Sequence, residues 1–210
     1  MGDSIQEGFY MHLSKLLGRA DIEFHKIYAL KKNHHPRLGK IESAAETMQH
    51  SWEPLIRSKA EQPIREGLIG TVYLINSGTH DSCLDNTMSD FLASTTHLIS
   101  EMDQRLSPSD VVVWRTTSAA HPTNANASVL SRTEYSNSMN FARTHAFSRA
   151  GARVVSKWKS NKTGPVFKVL DVFPVTASGR SFLLPDDIRH FSGQMYHLWT
   201  TMLLELLCPS

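Results

Sequence analysis

Three near-continuous apolar runs, each bounded by turn-forming residues, constrain this chain more than any other feature. They are Gly70–Ser77 (GTVYLINS), Asp110–Thr116 (DVVVWRT) and Val166–Val175 (VFKVLDVFPV). A strand with one wet face alternates apolar and polar residues; runs rich in adjacent β-branched and aromatic residues read instead as strands buried on both faces. Ile22–Leu30 is a weaker candidate of the same kind. Between the runs the pattern changes to a helical one. Phe91, Leu92, Thr95, Leu98, Ile99, Met102 and Leu106 fall on one helical face, and Phe191, Met195, Leu198, Trp199, Met202, Leu203 and Leu206 on another. Ile5, Phe9, Leu13, Leu16 and Leu17 mark an N-terminal helix, with Gly18 placed to end it.

Buried strands alternating with amphipathic helices predict an α/β fold, a three-layer α/β/α sandwich around a parallel sheet of four to five strands. At 210 residues the chain suits a single domain spanning 1–210. Its 22 Lys and Arg stand against 20 Asp and Glu, so no excess of positive charge argues for a nucleic-acid partner. Two cysteines exclude a disulfide scaffold and a multi-cysteine zinc module. No apolar stretch is long enough to span a membrane, and Asp3, Glu7, Asp21 and Glu23 rule out a signal peptide over the first thirty residues.

In an open parallel sheet, chemistry collects beyond the carboxyl ends of the strands. The residues to inspect there are Gly78-Thr79-His80-Asp81, then Arg115-Thr116-Thr117 with His121, then Ser178–Arg180 and Asp186–His190. Ser4 opens a helical pattern directly after Gly2-Asp3. Ser4-Ile5-Gln6-Glu7 has the form of a capping box, and a serine in that position also sits in the positive field of a helix N-terminus, which suits a nucleophile. Asp187 and His190 lie three apart. At that spacing a carboxylate can hold the imidazole Nδ1–H while Nε2 faces a hydroxyl, although the same spacing also serves a plain helix start. Gly78 offers an unobstructed amide, with a side-chain donor two residues on at His80. That is part of an oxyanion hole, or an ordinary strand-exit turn.

The order of these blocks resembles the SGNH (GDSL-like) hydrolase superfamily. More narrowly it is similar to its PC-esterase branch, which includes the trichome birefringence-like polysaccharide O-acetyltransferases. Gly2-Asp3-Ser4-Ile5-Gln6 matches the nucleophile block and Leu74–Asp81 the oxyanion-strand block. Val113–Thr117 with His121-Pro122 is like the branch's fourth strand, and Val169–Phe173 leading to Asp187–Phe191 is like its closing acid–base block. The resemblance implies Ser4 as nucleophile, His190 as general base and then acid, and Asp187 as its orienting carboxylate. The amides of Ser4 and Gly78, with the side chain of His80, would hold the oxyanion. His80 stands where the superfamily has Asn, and the place of its second-block Gly between residues 31 and 70 is left unassigned. In this fold the nucleophile follows the first, central strand, yet only Met1 precedes Gly2, so the first strand is expected to be missing or truncated here.

The function so implied is ester chemistry by a Ser-His-Asp triad through an acyl-serine, on small acyl (acetyl) esters of carbohydrate or lipid. The alternatives are polysaccharide O-acetyl transfer, or a non-catalytic or truncated member. A small-molecule or carbohydrate ester is the expected partner, with no cofactor. His25 and His34-His35 are the densest histidine group, but no ligand-pair spacing accompanies them, so no metal is expected. Arg115 would grip an anionic or hydroxyl-rich substrate, or simply face solvent at the strand end. With a helix after His190, Cys208 would lie about 27 Å along its axis, so Cys83 and Cys208 are expected as separate thiols. Asn126-Ala127-Ser128 and Asn161-Lys162-Thr163 are glycosylation sequons. They permit a secretory or Golgi-lumen location if a signal or anchor lies upstream; otherwise the expected compartment is the cytoplasm.

Overall fold

The computed structural model describes residues 4–18, 70–83, 87–122, 140–160 and 163–208, with the side chains of Ser4, Leu17, His80 and Cys83 left out. Three strands form one parallel sheet in the order β1 (Val72–Ile75), β2 (Val111–Arg115), β3 (Val166–Leu170). Among the described residues the α-helices are α1 (Ser4–Leu17), α2 (Thr79–Cys83), α3 (Met88–Arg105), α4 (Phe141–Lys157), α5 (Phe173–Ser178) and α6 (Gly193–Leu207). The weaker Ile22–Leu30 candidate lies outside the described residues.

Successive residues of β2 point to opposite faces, and each face has its own core. Val112 and Trp114, with Ile75, pack against Phe91, Leu98, Ile99 and Met102 of α3 and Phe147 and Val155 of α4. Val113, with Leu170 and Val172, packs against Ile5 and Phe9 of α1 and Met195, Trp199 and Leu203 of α6. The sheet is thus covered by helices on both sides, which is why β2 reads as an unbroken apolar run. Gly8 lets α1 close on α6, because a Cβ there would come within 2.6 Å of the Tyr196 hydroxyl.

Helix boundaries follow local chemistry. Thr87 and Asp90 form a reciprocal capping box at the start of α3, and Asn140 accepts from the Arg143 amide at the start of α4. Gly18 takes a left-handed φ of 59° after α1. The third apolar run is shorter than its composition suggests. β3 ends at Leu170, and Phe173-Pro174 instead opens α5, since proline donates no ladder bond but fits the first turn of a helix. The amides of Val172 and Phe173 turn to Thr116 Oγ1 at 2.9 and 3.2 Å, which takes the chain out of the sheet.

Candidate active site

The helix takes in Ser4 itself as its first residue. Its first turn is fixed by two neighbours of Ser4. Ile5 is fully buried in the core that also holds Val172 and Phe191, and Gln6 accepts a hydrogen bond from Arg115, the last residue of β2. The backbone of Ser4 is thereby brought to the carboxyl end of the sheet, where the field of a 14-residue helix is positive.

Asp187 and His190 form a pair, with the Nδ1–H donating to Asp187 Oδ2 at 2.7 Å. The block does not open α6, as the sequence suggests, but lies in a loop that ends three residues before it. Pro185 and Asp186 are the central residues of a turn closed by the Asp187 amide on Leu184 O. Asp186 takes the left-handed φ of 58° that the third position of a type II turn requires. A bridge between Leu183 and Phe191 and the Leu184 amide on His190 O close the loop at its base. Asp187 Oδ1 caps the loop from within, accepting the amides of Arg189 and His190 at 2.9 Å each.

The carboxylate is therefore over-supplied with donors. Burial pushes the Asp187 carboxyl up. The hydrogen bonds from the His190 imidazole and from the His190 and Arg189 amides, with the electrostatic attraction of His190, outweigh that and hold it well below the usual carboxylate range. Side-chain exposures of 26% for His190 and 29% for Asp187 leave the pair reachable from solvent. With Nδ1 carrying the proton, the neutral imidazole has its lone pair on Nε2, the form a general base requires.

Gly78 follows β1 at the same end of the sheet. Its φ is 117°, and a Cβ there would lie 2.2 Å from Thr117 Oγ1, so only glycine fits. Its amide donates to Asp81 Oδ2 at 2.9 Å, and the same oxygen accepts from Ser77 Oγ at 2.9 Å. The amide that the resemblance assigns to an oxyanion is thus engaged by a buried carboxylate of its own turn. An Asp three residues after the glycine is a local pattern that could have signalled this contact. The backbone of His80 belongs to α2.

Arg115 neither faces solvent nor is placed to grip a substrate. It is fully buried, with its guanidinium over the Trp199 ring at 5.1 Å and its Nε on Gln6. Gln6, which the sequence does not single out for a role in the site, is tied to this end of the sheet through Arg115, as His121 is through Ile188.

Among the described residues no group of three or more His, Cys, Asp and Glu is arranged to hold a metal ion. His25 and His34-His35, like both sequons' asparagines, lie outside the described residues. Cys208 is an exposed free thiol. No described helix is long and apolar enough to cross a membrane.

No protein-family model matches the chain, and a search of the curated proteins finds none significantly similar to it.

Proposed function

We propose that this protein is a serine hydrolase or acyltransferase acting on ester bonds, with Ser4 as nucleophile and the Asp187–His190 pair as its acid–base apparatus. The observation that carries the reading is the 2.7 Å Nδ1–H to Oδ2 bond at the same end of the sheet as the first turn of α1. His190 Nε2 takes the Ser4 hydroxyl proton as Oγ attacks the acyl carbonyl. The tetrahedral adduct collapses, the C–O bond to the alcohol breaks, and His190 gives the leaving oxygen its proton. The acyl-serine is then resolved by water in an esterase, or by a sugar hydroxyl in an O-acyltransferase, with His190 again accepting the proton.

Oxyanion stabilisation falls first on the Ser4 amide in the field of α1. Gly78 and the His80 side chain are the further donors the resemblance implies. Gly78 joins them only when Asp81 releases its amide. In this reading the chain is an SGNH hydrolase of the PC-esterase branch, with a sheet of four or five strands and a small acyl ester of carbohydrate or lipid as substrate.

Intact-mass labelling with a fluorophosphonate, beside a Ser4→Ala control, tests the assignment. One adduct on the native chain and none on the variant is the expected result. An adduct on both would move the nucleophile elsewhere. The Asp81–Gly78 contact favours a second reading, a folded relative that binds without turnover. No adduct on a protein that melts cooperatively would select it.

A further inference from the structure

We infer that His121 is a positioning residue for the acid–base pair, acting through the carbonyl of Ile188. The inference rests on the triad reading above for its catalytic meaning, but its geometry stands apart from it.

The segment after β2, Thr116–His121, runs buried across the carboxyl end of the sheet, every residue at most 9% exposed. Such a segment needs partners for its amides. The Ala119 amide donates to Thr176 Oγ1 at 2.9 Å, the Ala120 amide to Thr144 Oγ1 at 3.3 Å and the His121 amide to Ile188 O at 2.8 Å. The last bond reaches into the loop of Asp187 and His190, one residue from the first and two from the second. Ile188 is itself buried, so its carbonyl is a fixed point about which the half-buried pair is arranged.

What aims that amide is the His121 ring. Nε2 lies 2.8 Å from Thr176 O in α5, and because a carbonyl only accepts, Nε2 carries a proton. The ring is also set edge-on to Phe141 of α4, with centroids 6.4 Å apart. Pro122 restricts residue 121 to extended backbone from the other side. His121 therefore joins three parts of the fold, α5, α4 and the catalytic loop, at one residue. It does not itself touch Asp187 or His190 by any of these bonds. Its effect is to hold the loop that carries them, and in such sites a 1 Å misplacement can cost about 100-fold in rate.

Two variants separate donor from volume. His121→Gln keeps an N–H where Nε2 stands; His121→Leu keeps bulk without the donor. The first readout is the low-field proton resonance of the His190 Nδ1–H, assigned by its loss in Asp187→Asn. The second is the fluorophosphonate labelling rate. The Leu variant is expected to lose the resonance and to label on the order of 100-fold more slowly, while the Gln variant keeps the resonance and labels like the native chain. A Leu variant that keeps both overturns the inference. If the Leu variant does not melt cooperatively, the Gln variant decides, and its losing the resonance while folded overturns the inference equally. A native chain that takes no label defeats the triad reading alone, and the resonance then judges His121 by itself.

Discussion

The Arg115 guanidinium, at the end of the central strand, donates through Nε to Gln6 Oε1 at 2.5 Å and so ties β2 to the first turn of α1. The two residues are 109 apart in sequence, and both are buried. The charged donor sits where water does not reach, so removing its amide acceptor is costly. Gln6→Ala is expected to lose about 2–3 kcal/mol, or on the order of 5–10 °C in melting temperature. Because Ser4 lies two residues upstream, serine labelling should slow with it. An unchanged melting temperature would show that the contact carries no stability.

Gly78 makes a sharper prediction, because two separate obstacles meet there. A left-handed φ of 117° disfavours any side chain, and a Cβ would fall 2.2 Å from Thr117 Oγ1. Gly78→Ala is expected to cost about 3 kcal/mol or more, combining backbone strain with overpacking. Adding Thr117→Ala removes the steric part alone. The double variant should recover some of the loss and never all of it, as read from urea midpoints. Full recovery would mean that the backbone at Gly78 is not strained.

The parts of this fold that are legible in the sequence are those in which one face dominates. The apolar runs mark the three strands, and the periodicities over 91–106 and 191–206 find α3 and α6. The parts that escape are those decided by distant partners. Nothing in the apolar periodicity marks α4 as a helix, because its buried face mixes Thr144, Ser148 and Gly151 with Phe147 and Val155. The end of β3 is hidden because Val172 and Phe173 have strand-like side chains, and it is Thr116 on the neighbouring strand that takes their amides. Arg115 looks like a surface or substrate-facing residue until Gln6 and Trp199, from opposite ends of the chain, close over it. In the site, the Asp187–His190 pairing is readable from spacing, whereas the cradle that His121 supplies to Ile188 is not.

Asp187→Asn tests the proposed acid–base role of the Asp187–His190 pair directly. The amide can still accept from the two backbone N–H groups, so the loop should persist, but its NH₂ cannot accept the Nδ1–H and favours the wrong tautomer. Labelling or turnover is expected to fall about 10⁴-fold, and the melting temperature at neutral pH to drop as well, because the stability supplied by the ionised carboxylate is lost. The carboxyl is held below its ordinary 3.8 in the folded state, so the unfolded chain binds the proton first. The stability it contributes is complete above that value and fades as the pH falls further. The native chain should therefore lose stability relative to the Asn variant only on the acid side of about pH 4. A difference already growing at neutral pH would assign the effect to another group.

The last prediction concerns the seam between α1 and α6, where the rings of His12 and His197 meet with centroids 5.9 Å apart. Burial lowers the His12 pKa from its usual 6.5, and the neighbouring His197 and Lys15 charges lower it further. The unfolded chain therefore takes up the proton at a higher pH than the folded one, and the slope of stability with pH is positive in that window. Full stability is expected above pH 7. It should decline as the pH falls through the ordinary imidazole value and level off below the folded one. His12→Gln removes the titrating group, so the drop in melting temperature between pH 7.5 and 5.5, values on either side of about 6.5, should shrink. If α1 is anchored to the sheet chiefly by the Ile5 and Phe9 core, Ser4 labelling at neutral pH stays as it was. An undiminished drop in the variant would place the pH-sensitive contact elsewhere than this seam.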